Sequence, residues 1–167
     1  LPSDSKIGEG FAKIAGFDDP IIDIAITPDR ADCLGVRGIA RDLAAAGLGK
    51  LKPLDTSPVK TTFKSPIDWR VDLPDMDPPL APLVVGRYFK GVKNGPSPNW
   101  LKERLQAVGL RPISALVDIT NYVMMDVGRP LHAYDADKVE GDIFIRLAKN
   151  GEKYRALDGK EYVFDEE

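Results

Sequence analysis

One histidine and one asparagine are the side chains whose types and spacing could build a polar site in this chain. His132 is the only histidine among 167 residues, and Asn121 precedes it in the stretch VDITNYVMMDVGRPLHAYD. An amide and an imidazole can direct hydrogen bonds to a small molecule or an aminoacyl group, with Pro130 and Leu131 as an apolar wall. The alternative, which spacing alone favours, is a buried histidine bonded to a backbone carbonyl and an asparagine that caps the loop.

Few other residues in this sequence are candidates for a catalytic or binding role. Cys33 and His132 are the only cysteine and histidine, and the apolar neighbours of Cys33 favour a core cysteine over a nucleophile. The sequence contains no Gly-rich phosphate loop, nucleophile elbow or metal-binding His/Cys cluster. We therefore expect no metal and no cofactor in this chain, and we assign no catalytic residue with certainty.

Three arginines form a candidate RNA-facing surface. Arg30, Arg37 and Arg41 are spaced i, i+7 and i+11, which would align their guanidinium groups on one helix face toward phosphates. The interleaved aspartates favour a different interpretation, a solvated face of ion pairs. They are Asp29, Asp32 and Asp42.

Composition sets broad limits on function. Apolar residues make up 43% and charged residues 29% of the chain, as in an ordinary globular protein. A net charge of −3 gives no global attraction for nucleic acid or for an anionic membrane, so any RNA contact must be local. One cysteine fits a reducing cytoplasm, and no apolar run is long enough to span a membrane. The opening LPSDSKIGEG lacks an initiating Met and a signal peptide, so we expect a piece of a longer protein.

The elements that would position these residues fall into three regions. Residues 1–51 contain a candidate strand, IIDIAIT, and a candidate helix, RADCLGVRGIARDLAAAG. Residues 52–82 carry seven of the fourteen prolines and predict an irregular connector with at most one edge strand.

Residues 83–167 predict alternating strands and helices. LVVGRYFKGVK is a candidate strand, and Ser97 as N-cap with Pro98 in the first turn begins a helix that ends at Gly109. A second apolar stripe of helical period carries Asn121 on its flank and ends at Gly128. IFIRLAK then predicts a strand, and the Asp158–Gly159 pair predicts a type I′ hairpin. The fold class is therefore α+β, with a small strand–helix unit followed by a mixed α/β-sheet domain.

Two motifs resemble the β subunits of bacterial phenylalanine–tRNA ligases. They are TPDRADCLGVRGIARDLAA and SPNWLKERLQAVGLRPISALVDITNYVMMDVGRPLHAYDADKV, in family order. The resemblance implies that residues 1–51 are part of the first structural module and that residues 83–167 begin the editing module, which deacylates tRNA. It also implies that the chain is truncated, because the family's editing module continues beyond Glu167 and supplies a glutamate and small residues to the pocket.

The resemblance implies a function as well. Family members are α2β2 heterotetramers in the cytoplasm that join phenylalanine to tRNA(Phe) with ATP and magnesium at a site on the α subunit. Their editing module hydrolyses tyrosyl-tRNA(Phe), and its pocket matches Asn121, Pro130 and His132 here. Tyrosine differs from phenylalanine by one hydroxyl, which an apolar pocket rejects weakly, so a second polar site corrects the error.

This chain departs from the family at one quoted position and leaves two alternatives open. Asp29 stands where the family usually has an asparagine. The chain could instead be a non-catalytic piece that contacts tRNA or a partner subunit, or a free-standing hydrolase that uses His132. The second alternative is the weaker, because no nucleophile or metal partner is evident. We expect the chain alone to be inactive.

Overall fold

A computed structural model describes residues 3–16, 18 and 20–165. Its helices are α1 (Phe11–Ile14), α2 (Val36–Ala45), α3 (Asn99–Ala107) and α4 (Ala115–Val127), with 3-10 turns at Ala31–Cys33 and Ala136–Lys138. Its strands are β1 (Trp69–Asp72), β2 (Ile143–Arg146), β3 (Lys153–Arg155) and β4 (Glu161–Val163). The mixture of helices and small sheets agrees with the expected α+β class.

The contacts divide the chain into two units that interleave along the sequence. The helical unit consists of Leu1–Pro58 and Val92–Ala133, and the sheet unit consists of Val59–Gly91 and Tyr134–Glu167. The assignment of residues 1–51, 52–82 and 83–167 to modules and a connector stays a prediction.

The helical unit is built around the apolar face of α3. Leu101 and Leu105, four residues apart, are each 1% exposed, and α4 packs against both α3 and α2. A spacing of four residues places side chains on one helix face, so this pair forms a narrow buried stripe. All three predicted helices are present as α2, α3 and α4, although Val108, expected on the buried face of α3, is exposed.

The prediction of Ser97 as the N-cap of α3 was wrong. Pro98 occupies the N-cap, and Ser97 is buried just before it. The Ser97 hydroxyl donates to the carboxylate of Asp118 on α4 instead of to its own helix. The end of α4 is as predicted, because Gly128 adopts the left-handed conformation with φ 71°.

Two separate strand pairs form the sheet unit. β1 pairs with β2 in parallel, with Trp69 opposite Ile143 and Asp72 opposite Arg146. β3 pairs with β4 in antiparallel fashion, with Lys153 opposite Val163. The strand predicted in IFIRLAK is therefore confirmed as β2.

The hairpin between β3 and β4 is present, but its turn is not type I′. That turn requires positive φ at both central residues, and of the Asp158–Gly159 pair only Gly159 has it, at 83°. The Gly159 N–H instead donates to the Ala156 carbonyl, and the Ala156 N–H donates to the Lys160 carbonyl. Gly159 is therefore the last residue of a four-residue turn, and its left-handed conformation gives a longer, bulged connection.

Two other predicted strands are absent. Residues 21–27 and 83–93, all of which the structure describes, contain no strand. A strand requires a hydrogen-bonded neighbour, and most apolar side chains of these segments, such as Ile22 and Val85, are exposed. Residues 52–82 contain no helix and a single strand, β1, as their prolines predict, whereas their role as a connector stays a prediction.

None of the helices in the described part of the chain is long and apolar enough to cross a membrane.

Candidate functional site

The predicted polar pair lies on and just after α4. Asn121 is half-buried within the helix, and His132 is exposed four residues beyond the Gly128 cap. Pro130, the predicted apolar wall, is also exposed. All three belong to the helical unit. That they line one pocket stays a prediction.

A buried carboxylate fixes the start of α4. Asp118, which is completely buried, accepts hydrogen bonds from the Ser97 hydroxyl and from the Ile113 N–H at 2.8 Å. Burial raises the pKa of this carboxyl, but the hydrogen bonds from Ser97 and Ile113 outweigh burial and hold the pKa below its ordinary value. Asp118 precedes Asn121 by one helical turn, so it anchors the turn that carries the amide.

The end of α4 is held by a close approach of two glycines. A Cβ atom on Gly35 would lie 2.4 Å from the Gly128 nitrogen, so no side chain fits at Gly35 without movement of that backbone. Gly35 caps α2, and Gly128 caps α4. The two sequence motifs therefore meet here, and the first supports the reversal that leads to His132.

The structure corrects the predicted arrangement of the three arginines. Arg30 precedes the 3-10 turn and lies outside α2, because the helix begins only at Val36. Arg37 and Arg41 are on α2, and the Arg37 guanidinium donates to the Lys52 carbonyl at 3.1 Å. The three residues thus do not share one helix face.

The ion-paired interpretation of these arginines is confirmed for two of them. The Arg30 guanidinium donates to Asp32 at 3.0 Å and to Asp42 at 2.6 Å, and Arg41 pairs with Asp32. The hydrogen bond from Arg30 lowers the pKa of Asp32 to about 2. These guanidinium groups are thus already engaged by carboxylates.

Cys33 is a core residue, as predicted. Its side chain is 4% exposed, and burial raises the pKa of the thiol above its ordinary value. The thiol sulfur and the carboxylates of Asp32 and Asp42 lie within 4.8 Å of one another, a spacing that could suit a metal ion. Arg30 Nη2 occupies this position, 2.8 Å from the sulfur and 2.6 Å from Asp42, so the group does not fit a metal.

An open apolar groove of about 410 Å³ lies beside this cluster. Its lining residues run from Ile24 to Thr27 and include Ile39 and Leu43 of α2. Neither Asn121 nor His132 is among them. The groove is therefore separate from the predicted pocket.

Sequence reasoning missed Asp118 and Gly35 as residues that position α4. A carboxylate inside an apolar stripe of helical period was the available signal for Asp118. No local signal marked Gly35, because its close contact with Gly128 depends on how two distant segments pack.

A family model described as the B3/4 domain matches residues 80–167, which include α3, α4, Asn121 and His132. Curated relatives of the chain include phenylalanine–tRNA ligase β subunits. The chain is 50% identical to that of Zymomonas mobilis over 165 residues and 57% identical to that of Paramagnetospirillum magneticum over 159 residues. These alignments cover 99% and 95% of the chain but 20% of each relative. The β subunit of Rhodopseudomonas palustris is 53% identical, again over 20% of its length.

Proposed function

Because the chain belongs to the B3/4 domain family, we propose that it forms part of the β subunit of a phenylalanine–tRNA ligase and contributes to hydrolytic editing of tyrosyl-tRNA(Phe). The observation that carries this proposal is identity of 50–57% to such β subunits over almost the whole chain. The chain spans 20% of the length of these relatives, so the activity belongs to the larger protein.

In this proposal, the chain contributes to editing by positioning the reacting groups. Asn121 and His132 would hold the tyrosyl ester and a water molecule in register, with Pro130 as apolar wall. The water oxygen bonds to the ester carbonyl carbon, the bond from that carbon to the ribose oxygen breaks, and the ribose oxygen takes a proton. Correct orientation alone accelerates such a reaction strongly, so no protein nucleophile is needed.

The two ends of α4 support this role. Asp118 anchors one end through Ser97, and the Gly35–Gly128 contact anchors the other. A site that works by orientation needs its polar groups on a fixed support, since a displacement of about 1 Å can cost on the order of 100-fold in rate.

The partners and cofactors of the larger enzyme follow from the same proposal. The β subunit would assemble with an α subunit into an α2β2 heterotetramer in the cytoplasm and act on tRNA(Phe). ATP and magnesium would serve aminoacylation on the α subunit. The Asp32–Cys33–Asp42 group does not fit magnesium, because Arg30 pairs with its carboxylates.

The experiment uses the full-length heterotetramer and tyrosyl-tRNA(Phe). We expect N121A and H132A to slow ester hydrolysis by at least tenfold while phenylalanine aminoacylation changes little. N150A, in the sheet unit, is the matched control. The 167-residue chain alone should not deacylate tyrosyl-tRNA above background, because it spans only 20% of the length of the relatives it matches.

The second candidate function is a non-catalytic contact with tRNA or the α subunit. It is favoured by the exposure of His132 and Pro130. If N121A and H132A leave hydrolysis unchanged but weaken tRNA binding or assembly, this second function replaces the first.

A further inference from the structure

Trp100, Arg104 and Tyr122 form an aromatic–arginine surface across α3 and α4. The Trp100 and Tyr122 rings meet edge to face, with centroids 5.5 Å apart and planes at 86°. Arg104 Nη1 donates to the Tyr122 hydroxyl at 2.9 Å, and the guanidinium carbon lies 5.8 Å from the Trp100 ring centroid. We call these three residues the α3–α4 platform.

The platform lies at the surface although its two helices carry the core. Trp100 is 52% exposed, whereas its neighbour Leu101 is 1% exposed. The next turn of α3 repeats this division, with Arg104 exposed and Leu105 buried. The helix therefore directs its leucines inward and presents a fixed indole and guanidinium outward.

Arg104 differs from four arginines of the chain whose charge is neutralised by a carboxylate, one of which is Arg41. Arg30, Arg70 and Arg146 each pair with a carboxylate. The described partners of Arg104 are two aromatic rings and a phenolic hydroxyl, none of which neutralises its charge.

The sequence around the platform is basic within an acidic chain. Residues 92–133 contain five basic and three acidic side chains, whereas the whole chain has a net charge of −3. One of the three acidic side chains, Asp118, is completely buried. Lys93, Arg104 and Arg111 are exposed. The segment that carries the platform thus has an excess of positive charge, which favours binding to a phosphate backbone.

We propose that the α3–α4 platform binds single-stranded RNA, with one unpaired base of the tRNA stacked on Trp100 and a neighbouring phosphate bound by Arg104. An exposed indole with an adjacent guanidinium is a stacking surface for any base, and nearby cations hold the backbone. The inference rests on the proposed function for its partner, tRNA. Tyr122 follows Asn121 on α4, so the platform lies on the same element as the predicted editing residues.

The test measures tRNA(Phe) binding by the full-length heterotetramer at two salt concentrations. W100A should weaken binding by about tenfold at both, the size expected for the loss of one stacked base. W100F, which keeps a ring, should recover most of that loss. R104Q should weaken binding more at low salt and reduce the slope of log K against log salt by about 0.7.

The sheet unit offers a matched control. Phe144 is 57% exposed and also has an arginine over its ring, Arg70 at 6.0 Å, but that arginine is paired with Asp142. F144A should leave tRNA affinity within about twofold of the unaltered enzyme. An equal loss in F144A and W100A would overturn the proposal, because the effect would not be specific to the platform.

Other outcomes also decide the matter. If W100A lowers the Tm or impairs assembly while tRNA affinity holds, Trp100 packs against another segment of the protein and the proposal fails. If W100A does not assemble, the binding measurement is replaced by photochemical crosslinking of 4-thiouridine-substituted tRNA to the unaltered enzyme. Crosslinks within residues 97–107 support the platform, and their absence overturns it.

Failure of the proposed function gives a different result. An unaltered enzyme that binds tRNA(Phe) through Trp100 but does not hydrolyse tyrosyl-tRNA would refute editing and retain the platform. An enzyme that edits, but with binding insensitive to W100A, would refute only the platform.

Discussion

The two units of this chain differ in what holds them together. Every buried residue that the structure describes lies in the helical unit: Cys33, Gly38, Ser97, Leu101, Leu105 and Asp118. The described residues of the sheet unit are all at least partly exposed, and its strands are joined by backbone ladders and by surface ion pairs. Two of these ion pairs are Arg70–Asp142 and Arg146–Glu152.

This difference shows that a unit can have regular secondary structure without having a rigid, packed interior. A regular ladder of hydrogen bonds gives a strand pair its geometry, but packed side chains supply most of the stability of a small unit. The predicted editing residues lie in the unit that has packed side chains. The sheet unit should open more readily, since exposed ion pairs are weak and screened by salt.

The largest effect should come from Leu101→Ala in the helical unit. Removing a fully buried leucine leaves a cavity and typically costs about 2–5 kcal/mol. Amide hydrogen exchange should show lost protection throughout α3 and α4. Leu157→Ala, at an exposed leucine of the hairpin, is the matched control and should change stability by less than about 0.5 kcal/mol. Equal losses from the two variants would contradict the contrast between units.

Gly35→Ala should have the next largest effect. The new methyl group would lie 2.4 Å from the Gly128 nitrogen, so the α4 end must move, at a cost of about 1–3 kcal/mol. Thermal unfolding monitored by circular dichroism measures this loss. Gly49→Ala is the control, because a methyl group there meets nothing within 4 Å. An unchanged Tm for G35A would show that the helix end is not tightly held.

Acid should loosen the hairpin of the sheet unit. The hydrogen bond from Arg146 lowers the pKa of Glu152 to about 2 from an ordinary value of 4.5. A lowered pKa means that this pair stabilises the folded hairpin above about pH 4.5 and that the contribution is lost as pH falls toward 2. NMR chemical shifts of β3 and β4 should follow this titration. E152Q should abolish that part of the pH response, whereas E140Q should not.

Arg37→Ala should have the smallest effect. Its guanidinium is committed to the Lys52 carbonyl, and it does not share a face with Arg30. Affinity of the full-length enzyme for tRNA(Phe) should change by less than about threefold in a filter-binding assay. A larger loss of affinity at moderate salt would indicate that the RNA-binding surface lies on α2 and not on the α3–α4 platform.

Sequence predicted the elements whose causes are local. Helices α3 and α4 follow from apolar residues at helical spacing, and Gly128 marks the end of α4. The prediction of a strand at 21–27 was wrong. Alternating apolar residues show that a segment could pair as a strand, but they do not show whether a partner strand is present. The sequence predicted at most one edge strand where β1 lies, because its partner β2 is 74 residues further along the chain.

The candidate site could be predicted only in part, for the same reason. Asn121 and His132 were conspicuous by type. Asp118 was not singled out, because its burial depends on Ser97, which is 21 residues away in sequence. The position of Arg30 outside α2 also depends on its carboxylate partners, which periodicity does not reveal.

The parallel pairing of β1 with β2 has a consequence for how the chain folds. Trp69 pairs with Ile143, and the whole of α3 and α4 lies between these two residues. A contact of such high sequence separation requires closure of a long loop and forms slowly compared with a contact between adjacent helices. During synthesis, α3 and α4 can dock before residue 143 emerges from the ribosome. β1 therefore has no strand partner until β2 has been made.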